Sequence, residues 1–266
     1  MGAVILSPAD LMIAASLILL LAALSLRLRL GVERQLLVSA ARTTVQLLLI
    51  ALVLKAVFEL ARLHWVASMA AVMILAAGRE VIARQKHRLR GGWGYGIGTV
   101  SMFVSSFTVT VLALLVVIGN DPWYAPQYAI PLLGMVLGNT MNGVALGLDR
   151  LTQDAVQRRA VIEARLALGE RWQEAIADIR HDAMRVGLIP IINAMAAAGI
   201  VSLPGMMTGQ ILAGAPPLEA AKYQILVMFL IAGGTGLGTV VAVNLAARRL
   251  FDQRHRLRPE RIGSQN

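Results

Sequence analysis

Residues 9–26 read Ala9-Asp10-Leu11-Met12-Ile13-Ala14-Ala15-Ser16-Leu17-Ile18-Leu19-Leu20-Leu21-Ala22-Ala23-Leu24-Ser25-Leu26, and this apolar run decides the fold class. Its single charge, Asp10, lies at the start, and Arg27 and Arg29 close it. A helix of about 20 apolar residues covers the ~30 Å hydrocarbon core of a bilayer. A secretory signal peptide is the competing reading, but no basic stretch precedes the run. It is read as a first membrane span.

Six further runs have the same character: residues 43–60, 65–83, 92–119, 128–148, 186–203 and 219–247. The whole chain agrees with them. Of 266 residues, 57% are hydrophobic and only 15% are charged, against about a quarter charged in soluble domains. The expected fold is all-α, a polytopic helical membrane protein of about seven transmembrane helices. It forms one transmembrane domain over 1–266, with a cytoplasmic helical segment at 149–185.

The formal charge of +10 comes from arginine, since Lys55, Lys86 and Lys222 are the only lysines. Of the 25 basic residues, 21 fall in alternate inter-span segments or in the tail after residue 247. The positive-inside bias then predicts an outer N-terminus and a cytoplasmic C-terminus in an inner, or plasma, membrane. Trp65, Trp123, Tyr124 and Tyr128 fall at the outer interface, where amphipathic rings settle. The lipid bilayer accounts for the basic excess, and no nucleic-acid partner is expected. With no cysteine, disulfides and thiolate metal sites are excluded.

Enzymatic chemistry finds no residues to carry it. His64, His87, His181 and His255 are scattered, and none of the three lysines follows a glycine as a phosphate-binding loop requires. The chain is expected not to be an enzyme: no catalytic residue is assigned and no cofactor is bound. If ATP drives it, ATP and Mg belong to another chain. The glycine-rich stretch Gly233–Gly238 lies inside an apolar span, where small residues let helices approach closely.

Polar residues inside spans are the better functional candidates. Asn139 and Asn142 share a helix face in the fifth span, beside Thr140. They serve either as interhelical glue or as the lining of a wet pathway. Lys55 and Glu59 are spaced as a local i,i+4 ion pair. Between the last two spans, Pro204-Gly205 stops a helix ahead of Met206, Met207, Thr208 and Gln210. Broken backbone at membrane depth is tolerated only against protein or water. The two thioethers could offer soft ligands, but the metal ligand set, if there is one, stays unknown.

The segment 149–185 contains one glycine, Gly169, and no proline. It is expected to be one helix, with Ile162, Leu166, Gly169, Trp172, Ile176 and Ile179 on a single apolar face. A missing side chain at Gly169 would leave a docking notch on that face.

Three segments together resemble a known family. Gly134-Met135-Val136-Leu137-Gly138-Asn139-Thr140-Met141-Asn142-Gly143, Glu163-Ala164-Arg165-Leu166-Ala167-Leu168-Gly169 and Pro204-Gly205-Met206-Met207-Thr208-Gly209-Gln210-Ile211-Leu212 are similar to the FetB-type permeases of ABC transporters. The resemblance implies a cytoplasmic ABC ATPase subunit as partner and a homodimer of the permease. Bacterial members are linked to iron export, and plant relatives to aluminium tolerance and UDP-glucose transport. Glu163, Ala164, Gly169 and Trp172 then become the ATPase-coupling residues. The segment also looks like the E-A-A-x-x-x-G motif of importers with Arg165 in third place, but that pattern continues to a Leu-Pro closer than Ile189-Pro190 lies here, which leaves direction open. Asn139, Thr140, Asn142, Met206, Met207, Thr208 and Gln210 become the candidate transport path. The expected function is the membrane permease subunit of an ATP-driven exporter of iron or another metal ion. The alternatives are a secondary carrier driven by an ion gradient and a permease for a nucleotide sugar.

Overall fold

Ser7 starts the first helix, because its hydroxyl accepts the Asp10 amide while the Asp10 carboxylate accepts the Ser7 amide at 2.8 Å. This reciprocal cap satisfies amides that the first helical turn leaves free. In the computed structural model, which describes residues 7–264, ten helices follow in order. They are α1 (Pro8–Leu28), α2 (Glu33–Leu60), α3 (Leu63–Ala83), α4 (Trp93–Ile118) and α5 (Pro126–Gln157). After them come α6 (Arg159–Ala167), α7 (Trp172–Ala175), α8 (Ala177–Ala197), α9 (Gly205–Leu212) and α10 (Pro217–Leu250).

Six of these helices are long and apolar enough to cross a membrane: α1 to α5 and α10. The chain is therefore an all-α, multi-pass membrane protein. The sixth expected span does not qualify as drawn. Helix α8 opens with Asp178, Arg180, His181, Asp182 and Arg185, and it ends at Ala197. Its apolar remainder, residues 186–197, is about 18 Å long, short of the ~30 Å core. Residues 198–203 form turns, and short helix α9 follows. Pro204 and Gly205 accordingly begin a helix rather than only ending one, with Pro204 at the cap and Gly205 as the first helical residue.

The centre of the bundle is the junction of α5, α8 and α10, and small residues make it possible. A Cβ on Gly187 would lie 2.6 Å from the Gly143 carbonyl and 2.7 Å from the Thr239 methyl. One on Gly238 would lie 2.6 Å from the Thr140 methyl. Such approaches replace the hydrophobic drive that water would otherwise supply between helices. The glycine-rich stretch thus contributes packing at Gly234 and Gly238, while a Cβ on Gly233 would meet nothing within 4 Å. Helix α4 reaches the same junction through a π-helical segment, Phe103–Phe107, that carries buried Ser105 and Ser106.

By contrast, α1 and α2 lie at the periphery, with Leu17, Leu20, Leu47, Leu48 and Leu52 exposed on the isolated chain. The tail is structured. Ile262–Ser264 pairs antiparallel with His87–Leu89, and Phe251, Leu257 and Ile262 enter the core at the arginine-rich end.

The segment 149–185 is not one helix. It contains the end of α5, then α6, α7 and the start of α8. Gly169 has φ +95°, and the turn around it explains the break. Its amide donates to the Leu166 carbonyl at 3.1 Å, and the Glu170 amide donates to the Arg165 carbonyl at 3.2 Å. This is the Schellman arrangement, in which a left-handed residue ends a helix. Gly169 is a terminator, not a notch. The expected docking stripe also faces inward: Ile162, Ile176 and Ile179 are buried, and Trp172 stacks on Phe251 at 5.4 Å.

Candidate functional site

Two faces of α5 divide its polar residues. Thr140 is fully buried against Gly234 and Gly238 of α10. Asn139 and Asn142 stand on the opposite, exposed face. One residue turns a helix by about 100°, so Thr140 cannot share their surface and leaves the candidate path. Asn139 donates its side-chain amide back to the Met135 carbonyl at 2.9 Å, which holds it without help from a neighbouring helix. The Asn142 carbonyl accepts from the guanidinium of Arg84, the residue that closes α3.

Next to this pair lies a second polar contact that crosses helices. Arg42 of α2 and Glu80 of α3 form an ion pair at 2.7 Å. Further toward the arginine-rich end, the Lys86 amide donates to the Asp149 carboxylate at 2.7 Å. Arg42, Glu80, Arg84, Asn142 and Asn139 together make a polar strip on the outer surface of α2, α3 and α5. Sequence reading supplied the two asparagines and did not single out Arg42, Glu80 or Arg84. No spacing signal links residues 38 and 58 positions apart. Lys55 and Glu59 form no ion pair, despite their spacing.

The path residues near Pro204 form a separate group. Met207 lines a cavity of about 460 Å³ together with Met195, Met228 and Gln224. Met206 packs on the apolar cluster at that end, and the Thr208 hydroxyl donates back to the Pro204 carbonyl at 3.2 Å. The side-chain oxygens of Gln210 and Gln224 are buried without a partner. Thioethers and amides are a soft and neutral donor set. Among the described residues, no three His, Asp or Glu side chains are grouped to hold a metal. No hydrogen bond joins this group to Asn139 or Asn142.

The coupling candidates are dispersed as well. Glu163 is exposed and held by Arg159 at 2.7 Å, and Ala164 is exposed on α6. Gly169 is exposed in its turn, and Leu168 beside it is 85% exposed. Trp172 belongs to the core instead. Arg165 knits the turn together through Glu170 at 2.7 Å and Asp178 at 3.1 Å. The hydrogen bond to Glu170, chiefly, holds its guanidinium above its ordinary pKa.

Residues 8–251 match the model of the Uncharacterised protein family (UPF0014). The chain belongs to this family. A UPF0014 membrane protein of Synechocystis is 40% identical over 228 residues, covering 86% of this chain and 87% of the relative. The probable iron export permease protein FetB of Escherichia coli is 32% identical over 254 residues, 93% of each chain. Protein ALUMINUM SENSITIVE 3 of Arabidopsis thaliana is 30% identical over 246 residues, 92% of this chain and 88% of the relative. No solved structure matches. This UPF0014 member is therefore a multi-pass membrane protein of a permease family, as the three sequence segments implied.

Proposed function

We propose that this protein is the permease subunit of an ATP-driven exporter of iron or another metal ion. The observation that carries the reading is the polar strip from Asn139 to Arg42. Charged and amide groups on the outside of lipid-length helices must be covered by protein or must line a wet path. A second copy of the chain, facing the first across this strip and the exposed α2, supplies the cover and encloses the path. The likeness to an iron export permease supports a metal cargo. Glu80 places one carboxylate on the strip, and the thioether cavity at the other end supplies softer donors.

The energy comes from a separate cytoplasmic ABC ATPase, which holds ATP and Mg. Its docking point is the exposed end of α6, where Val161, Ala164 and Leu168 are exposed along one face that leads to the Gly169 turn. The sharp turn projects Leu168 rigidly, as a coupling element must. Orientation in the inner membrane follows the arginine-rich end, which faces the cytoplasm together with the C-terminus.

Sealed vesicles of the permease with its ATPase distinguish the substrates. ATP-dependent movement of iron, with UDP-glucose unmoved, is expected. Movement of UDP-glucose alone would transfer the reading to the nucleotide-sugar permease.

A further inference from the structure

We propose that the groove between α4 and α10 binds an anionic phospholipid, with its phosphate among the arginines at the end of α10. Two adjoining cavities form the site, of about 750 Å³ and 630 Å³, and they share Arg249, Phe251, Gln253 and Arg261. The first runs along the membrane helices between Gly96, Ile97, Val100 and Leu245. The second opens at the water-facing tail and adds Arg254 and Arg256.

Charge in this place is unbalanced. Asp252 is the sole acid lining either cavity, and it is already occupied by Arg256 at 3.0 Å and Arg258 at 2.8 Å. Arg248, Arg249, Arg254 and Arg261 form no ion pair with any described residue. Arg261 is nevertheless fixed, since its guanidinium donates to the Arg249 and Phe251 carbonyls at 2.7 and 2.9 Å. Arg249 is fixed too, lying 4.3 Å over the Trp93 ring. Carbonyls and an aromatic face position these cations without neutralising them. Positioned, unneutralised guanidiniums suit a phosphate oxygen.

The apolar half of the groove decides between a lipid and a soluble phosphate. A Cβ added at Gly96 would meet nothing within 4 Å, so no protein group fills that floor. Val100 and Leu245 are 47% and 38% exposed along it. A headgroup among the arginines places its acyl chain against Gly96 and Val100, and Trp93 marks the interface between the two zones. Basic pockets between membrane helices recognise anionic headgroups by this combination.

Native mass spectrometry of the full chain in neutral detergent tests the site. Phosphatidylglycerol, phosphatidylcholine with the same chains, and glycerol phosphate serve as probes. Phosphatidylglycerol is expected to bind about tenfold tighter than phosphatidylcholine. That preference is expected to vanish in the Arg248→Gln/Arg249→Gln double variant and to weaken in Arg254→Gln, whose side chain makes no ion pair. Gly96→Leu, which fills the groove without changing charge, is expected to weaken both lipids. Equal binding of the two lipids, or a preference unchanged in both charge variants, would overturn the proposal. Glycerol phosphate bound as tightly as phosphatidylglycerol would overturn it equally, by showing a site for a soluble anion.

Discussion

Arg42 on α2 and Glu80 on α3 meet at 2.7 Å, although α2 otherwise barely touches the bundle. Each charge is the other's one ion-pair partner among the described residues. Removing one partner leaves a lone charge facing lipid or the pathway, which is costlier than removing both. Arg42→Gln and Glu80→Gln should each lower transport and folded yield. The exchange Arg42→Glu/Glu80→Arg should restore much of both. Recovery is measured by transport normalised to protein in vesicles, and an exchange as poor as the single changes would separate the pair from function.

Asn139 is exposed on the isolated chain, and its side chain donates to its own helix at the Met135 carbonyl. Asn139→Leu should leave stability within about 0.5 kcal/mol of wild type, as exposed substitutions usually do, while transport is lost. Melting in detergent and flux in vesicles are read side by side. A variant that fails to accumulate would return Asn139 to a structural role. Asn142→Leu is a less clean probe, because it also strips Arg84 of its acceptor.

At the Gly169 turn, two substitutions separate local structure from docking. A leucine at φ +95° is strained, by roughly 1–2 kcal/mol, so Gly169→Leu should loosen the end of α6, visible as faster hydrogen exchange over residues 159–168. Gly169→Asn should be milder, because asparagine tolerates the left-handed region. Leu168→Asp changes a side chain that is 85% exposed. It should leave exchange unchanged and abolish co-purification of the ATPase. Retention of the ATPase by Leu168→Asp would remove this turn from the coupling interface.

The tail depends on Asp252, whose carboxylate accepts the Arg256 and Arg254 amides at 2.9 Å each, as well as the Arg256 and Arg258 guanidiniums. The Arg256 amide leads these contacts in holding its pKa well below the carboxylate range. A folded pKa below the unfolded value, about 3.9, contributes stability that is present above that value. It is lost only as pH falls through the folded one. Between pH 5 and 8 the tail should therefore be equally resistant to trypsin. Asp252→Asn should instead expose Arg254 and Arg256 to cleavage at neutral pH. Equal cleavage rates for both proteins would show that Asp252 does not hold the tail.

Six of the seven expected spans were legible in the sequence because apolar run length is a local property, and so was close packing at Gly234 and Gly238. Helical periodicity misled at 149–185. The 3,4 spacing from Ile162 to Ile179 persists across a chain reversal, and it records burial in a common core rather than one straight face. The decisive feature there is backbone conformation at Gly169, which spacing does not encode. Asn139 and Asn142 announced themselves as amides in an apolar run. Their surroundings did not, because Arg42, Glu80 and Arg84 reach the strip through tertiary packing. Pairing of Arg88 with Gly263 was invisible for the same reason.

The central claim is that flux through this chain is driven by ATP hydrolysed on another subunit. Its most direct measurement is iron flux in sealed vesicles holding the permease alone under an imposed proton gradient, compared with permease plus ATPase supplied with ATP and Mg. The expected result is flux only in the second preparation, lost when ATP is withheld. Gradient-driven flux through the permease alone, at the rate reached with the ATPase, would contradict it and make the protein a secondary carrier.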